Sequence, residues 1–172
     1  MQQGSKGMII TIQDWVFQID FDKTASRCQK IVSDHCLCGY CRNFYSAVDG
    51  SFPQLRCFLK QFGVDVEGPE ELMPFEPTMY GVTYVICGSI IQIGTNPIHQ
   101  EDLQIKVLLR DELDFDTPIS EECFALELTC LELPWVLEED MDEVISPAND
   151  PDYLSRMWNK LLSNVSDNQL FS

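Results

Sequence analysis

The residues best placed to do chemistry are Cys36, Cys38 and Cys41, three of the chain's eight cysteines within six positions. Cys36 and Cys38 form a C-x-C pair, and Cys38 and Cys41 form a C-x2-C pair. One or two intervening residues let sulfurs converge on one point, as a tetrahedral zinc site with Zn–S distances of about 2.3 Å requires. Gly39 suits the tight turn between the pairs. A fourth ligand must come from outside the trio. His35 is adjacent and Cys28 lies one or two helical turns upstream, so the predicted metal set is Cys36, Cys38, Cys41 and His35, with Cys28 as the alternative. No second C-x2-C or H-x3-H follows. A competing reading is redox chemistry. Cys38-Gly39-Tyr40-Cys41 is a C-x-x-C motif entering a predicted helix, where exposed N–H groups and the dipole favour thiolate. A thioredoxin-like site needs a buried strand before the motif, and Thr24 to Asp34 reads as helix instead. The plainest reading treats the thiols as small hydrophobes, and that is the expectation for Cys57, Cys87, Cys123 and Cys130.

The stretch Cys36 to Phe44 reads C-x-C-x2-C-R-N-F. With the later Phe62-Gly63-Val64-Asp65 and Leu133-Pro134-Trp135, it resembles a family of small, uncharacterised bacterial proteins over most of the chain. The resemblance implies a bacterial, intracellular setting. That family has no assigned activity, so no catalytic residue carries over.

Charge is unevenly spread. The net charge is −17, yet residues 1–62 carry seven Lys/Arg against five Asp/Glu, while residues 63–172 carry four against 23. Phosphate repulsion by the acidic portion argues against nucleic acid and anionic membranes as partners. The small basic excess lies around the cluster, at Arg27, Lys30, Arg42, Arg56 and Lys60. Arg42 is the anion-binding candidate, with a surface salt bridge as its ordinary alternative. The acids Asp111, Asp114, Asp116, Glu121 and Glu122 lack the glycine and spacing of a calcium loop. The run Glu138 to Glu143 reads as a solubilising linker, with contact to a basic protein partner as the alternative. The hydrolase and nucleotide-binding signatures are missing from the sequence. His99 reads as a surface residue.

No stretch reaches the roughly 18 apolar residues of a membrane span. Met1 to Gly7 is polar, without a signal-peptide core, which predicts a cytoplasmic protein with reduced thiols.

The elements that must position the cluster read as α+β. An N-terminal hairpin turns at Gln13-Asp14, with Trp15, Phe17 and Ile19 on one face. Three helices surround the cysteine loop. The first is capped by Thr24. The second runs from about Tyr40 to Val48 and ends at a turn, Asp49-Gly50-Ser51. The third starts near Pro53 and stops at Gly63. Glu67 to Pro77 reads as an acidic connector. Strands at Tyr80 to Ile93, Leu103 to Leu109 and Cys123 to Leu133 suggest an antiparallel sheet, with Gly88 marking a bulge or turn. A C-terminal helix starts at Asp150-Pro151. The chain is read as one domain over residues 1–172, with 1–7 and 164–172 flexible. A helical lobe and a β-rich lobe joined near Glu67 to Pro77 is the alternative. The function expected is a binding or interaction domain with a structural cysteine loop, using zinc and no other cofactor. The alternative is a thiol-dependent enzyme.

Overall fold

A computed structural model describes residues 7–115 and 119–144. The expected C-terminal helix from Asp150, both chain ends and Asp116 lie outside the described residues. The chain mixes helices with an antiparallel sheet of seven strands. Strands β1 (Met8–Ile12) and β2 (Trp15–Ile19) precede helices α1 (Phe21–Ser33), α2 (Gly39–Ser51) and α3 (Leu55–Lys60). Then come β3 (Glu71–Glu76), β4 (Met79–Gln92), β5 (Ile98–Gln100), β6 (Leu103–Leu108), a 3-10 turn at Arg110–Glu112, β7 (Cys123–Glu132) and a short helical turn, α4 (Met141–Val144). The sheet order is β1-β2-β4-β7-β6-β5, with β3 also paired to β4.

The fourteen-residue β4 organises the sheet. Its first half pairs with β3 and β7, and its last residues pair with β2. Side chains alternate across a strand, so Tyr80, Val82, Tyr84 and Ile86 all enter the main core. Trp15, Phe17 and Ile19 join them from β2, and Phe124, Leu126 and Leu128 from β7. Phe44, Ala47 and Val48 of α2 and Leu55, Phe58 and Leu59 of α3 reach the same core. The helices therefore cover one face of the sheet. Phe17 stacks on Phe124 at 4.9 Å and meets Phe62 edge-on at 5.5 Å. The opposite face carries a smaller cluster of Val85, Leu108, Cys123 and Ala125, packed against Leu113, Phe115 and Ile119.

Four sequence expectations change. Asp20, not Thr24, caps α1, accepting from Lys23 N at 3.1 Å. Thr24 is fully buried one turn in, where its hydroxyl donates to Asp20 O at 2.8 Å and accepts from Cys87 N at 3.0 Å. The segment expected to connect, Glu67 to Pro77, contains β3. Proline is tolerated there because β3 pairs on one side only. Helix α2 runs through Asp49 and Gly50 to Ser51. Cys57 and Cys130 are exposed, whereas Cys87 and Cys123 are buried as expected.

Gly63 ends the third helical segment at φ +84°, and Val64 N returns to Leu59 O at 3.2 Å, satisfying a terminal carbonyl. Gly88 has φ +145°, and a Cβ there would lie 2.1 Å from Gln18 O. Only glycine lets β2 approach β4 so closely.

Candidate metal centre

The sulfurs of Cys36, Cys38 and Cys41 all lie within 4.8 Å of one another. Local backbone explains why. Cys38 is the N-cap of α2, in extended conformation at φ −63° and ψ 160°, so Cys36 and Cys38 sit before the helix and Cys41 sits in its first turn. Arg42 N donates to Cys38 O at 3.0 Å, starting the helical ladder. Gly39 is buried, leaving no side chain between the thiols. Cys38 N donates to Cys36 Sγ at 3.4 Å, which folds the C-x-C pair back on itself. Cys36 and Cys38 are exposed and Cys41 is buried, so the site opens to solvent on one side.

Charge in the trio is unequal. The Cys41 thiol donating to Cys38 lowers the Cys38 pKa to about 5, against desolvation, with the Cys41 and Tyr40 N–H groups and Cys36 adding to the effect. Cys41 is pushed in the opposite direction by that same hydrogen bond and by burial. Burial, and then the neighbouring sulfurs, raise the Tyr45 phenol, and burial pushes Tyr80 up to about 12.

The surrounding residues hold this loop in place. Arg42 Nε donates to Leu37 O at 3.0 Å, and its Nη1 pairs with Glu139 Oε2 at 2.8 Å. The anion candidate is thus engaged by a carboxylate of the acidic run, an intramolecular use of that run. Asn43 is fully buried. Its amide donates to Pro134 O at 3.1 Å and Tyr80 Oη at 3.2 Å, and its carbonyl accepts from Val136 N at 2.8 Å. Tyr80 Oη in turn donates to Tyr40 O at 3.0 Å. Trp135 Nε1 donates to Glu139 O at 2.9 Å. Together these bonds clasp residues 134–139 over the start of α2. Sequence reading missed the clasp, since Asn43, Tyr80 and Glu139 lie far apart along the chain.

Neither fourth-ligand candidate joins the group of converging ligand atoms, and the two lie differently. Cys28 is a core residue of α1. Its sulfur accepts from Asp65 N at 3.1 Å, and a Cβ at Gly68 would sit 2.3 Å from it. It belongs to the packing of α1 on the loop before β3, not to the trio. His35 is half-buried with its ring stacked on Tyr45, centroids 4.4 Å apart. Its Nδ1 is buried without a hydrogen-bond partner, a state that costs free energy in a folded protein.

Three converging thiols are a soft donor set suited to zinc or to monovalent copper. Tetrahedral bonds of about 2.3 Å put sulfurs about 3.8 Å apart, and the three sulfurs here lie within 4.8 Å of one another. Compared with known protein families, curated proteins and solved structures, the chain matches none. The site is therefore read from its own chemistry. Among the described residues, no helix is long and apolar enough to cross a membrane.

Proposed function

We propose that Cys36, Cys38 and Cys41 bind a thiophilic metal ion, zinc first, with His35 as fourth ligand. In this proposal the ion is structural and stiffens the loop of a binding domain whose partner is a protein. The observation that carries it is the convergence of three sulfurs at the mouth of α2. The orphaned His35 Nδ1 favours that residue over Cys28, whose sulfur is engaged elsewhere. Among the described residues, Cys36, Cys38 and Cys41 are the only cysteine, histidine or acidic side chains whose ligand atoms converge in a group of three or more. The bacterial cytoplasmic setting implied by the resemblance belongs to this proposal. So does the exclusion of nucleic acid, on the grounds of the acidic C-terminal portion.

Elemental analysis of protein purified without chelator tests the reading. About one equivalent of metal is expected, and Cys38→Ser with Cys41→Ser should abolish it. His35→Ala should keep the ion with weaker affinity. Less than about a tenth of an equivalent, even after zinc is supplied, removes the proposal. The second reading is a thiol-dependent enzyme with Cys38 as its thiolate. The lowered Cys38 pKa at the helix entry favours it. Metal-free protein whose Cys38 turns over a small disulfide substrate would establish that reading.

A further inference from the structure

Cys87 and Cys123 belong to neither reading above. They lie directly opposite each other in the β4–β7 register. Among the described residues no other rung of the sheet pairs two cysteines. Both are free and buried, at 3% and 5% exposure. We propose that this pair is a site of reversible oxidative modification that closes into a cross-strand disulfide when peroxide reaches the sheet.

The hydrogen bonds settle which kind of rung this is. Cys87 N donates to Thr24 Oγ1 at 3.0 Å, and Cys87 O accepts from Asp20 N at 2.9 Å. The N–H and C=O of one strand residue point to the same edge. Both groups of Cys87 are therefore spent on the α1 and β2 side, and neither faces β7. The next rung is bonded instead, with Gly88 N donating to Glu122 O at 2.9 Å. Cys87 and Cys123 thus form a non-hydrogen-bonded pair, the kind in which opposed Cα atoms lie about 4.5 Å apart and side chains come closest. A disulfide spans Cα separations of about 4.4–6.8 Å, a range that includes the separation typical of such a rung. Opposed residues share a face. Here it is the outer one, where Cys123 packs with Val85 and Ala125 under Leu113, Phe115 and Ile119. That cover and the burial that keeps both thiols protonated make the reaction slow. They also favour a water-sized oxidant over a bulky one.

The chemistry balances with one hydrogen peroxide. The Cys87 sulfur takes one oxygen as the O–O bond breaks, giving a sulfenic acid and one water. The Cys123 sulfur then displaces that oxygen, which leaves with the thiol proton as a second water. Two thiols are oxidised, one peroxide is reduced, and β4 is tied to β7 beside Gly88, where β4 changes partner.

The test is peptide mapping of the full folded chain after peroxide treatment, catalase quenching and alkylation under denaturing conditions. A Cys87–Cys123 linked peptide is expected. It should vanish with dithiothreitol and be missing from Cys87→Ala and Cys123→Ala. Oxidised protein should melt several degrees above reduced protein, a shift that Cys123→Ala does not show. Full alkylation of both residues, their conversion to sulfinic acids without a link, or a link that forms only in urea each overturns the proposal. Mapping the unsubstituted chain decides the matter even if a variant fails to fold.

Discussion

At the scale of single residues, Cys38 and Asn43 make opposite kinds of demand. Cys38 ionises far below an ordinary thiol of about 8.5, at about 5. A depressed pKa contributes stability that is complete above about 8.5 and is lost as the pH falls through the folded value. Cys41 shifts the other way, so its contribution is complete below the unfolded value and is lost as the pH rises through the folded one. The two trends oppose each other in stability but not in reactivity. Metal-free protein should therefore alkylate at Cys38 near its plateau rate at pH 7, with a midpoint close to 5. Iodoacetamide labelling read by peptide mapping checks this, and a midpoint near 8.5 would refute it. Asn43 has no charge to lose but serves three partners from a fully buried position. Asn43→Ala leaves Pro134 O and Val136 N short of partners and should cost about 2–4 kcal/mol in urea unfolding. Glu139→Gln, at an exposed ion pair with Arg42, should cost far less, because solvent screens such a pair. Equal costs would mean the clasp is held by charge and not by the buried amide. The cysteine spacing announced the trio. Asn43 carried no such signal, because an asparagine beside an arginine on a helix reads as surface until its distant partners are known.

At the scale of elements, the legible parts are those whose hydrophobic period is regular. Leu55, Phe58, Leu59 and Phe62 mark a helical stripe followed by a glycine, and all four are buried. Trp15, Phe17 and Ile19 alternate, and all three are buried. Strand β3 was not legible, because Pro74 and its acids imitate a loop and edge pairing is a property of the partner strand. The Thr24 cap was misread for a similar reason. A threonine near a helix start suits the N-cap, but the buried N–H of Cys87 claims its hydroxyl from across the sheet. Gly88 shows how much one position governs element pairing. Gly88→Ala forces a Cβ onto Gln18 O at an unfavourable φ, so it should destabilise by about 2–4 kcal/mol. Hydrogen exchange should show β2 losing protection before β7. Uniform loss across the sheet would indicate that β2 and β4 do not separate as a local unit.

At the scale of the molecule, charge and core pull apart. Residues 63–172 carry 23 acids and four basic residues, and such an excess destabilises a compact chain by self-repulsion. Raising sodium chloride from about 0.02 M to 0.5 M shortens the screening length several-fold. The melting temperature should then rise by a few degrees. A fall would mean that ion pairs such as Arg27–Glu70 and Arg56–Asp65 outweigh the repulsion.

The sequence by itself determined what is local. The cysteine spacing, the helix stripes, the hairpin turn and the acidic bias each depend on residues a few positions apart, and their physics is complete within that window. Only the tertiary structure decided what depends on meeting across the chain. It committed Cys28 to the Asp65 backbone, engaged Arg42 with Glu139, laid residues 134–139 over α2, and set Cys87 opposite Cys123. Strand register and the packing of helices on the sheet fix those meetings, and no residue type announces its partner before they form.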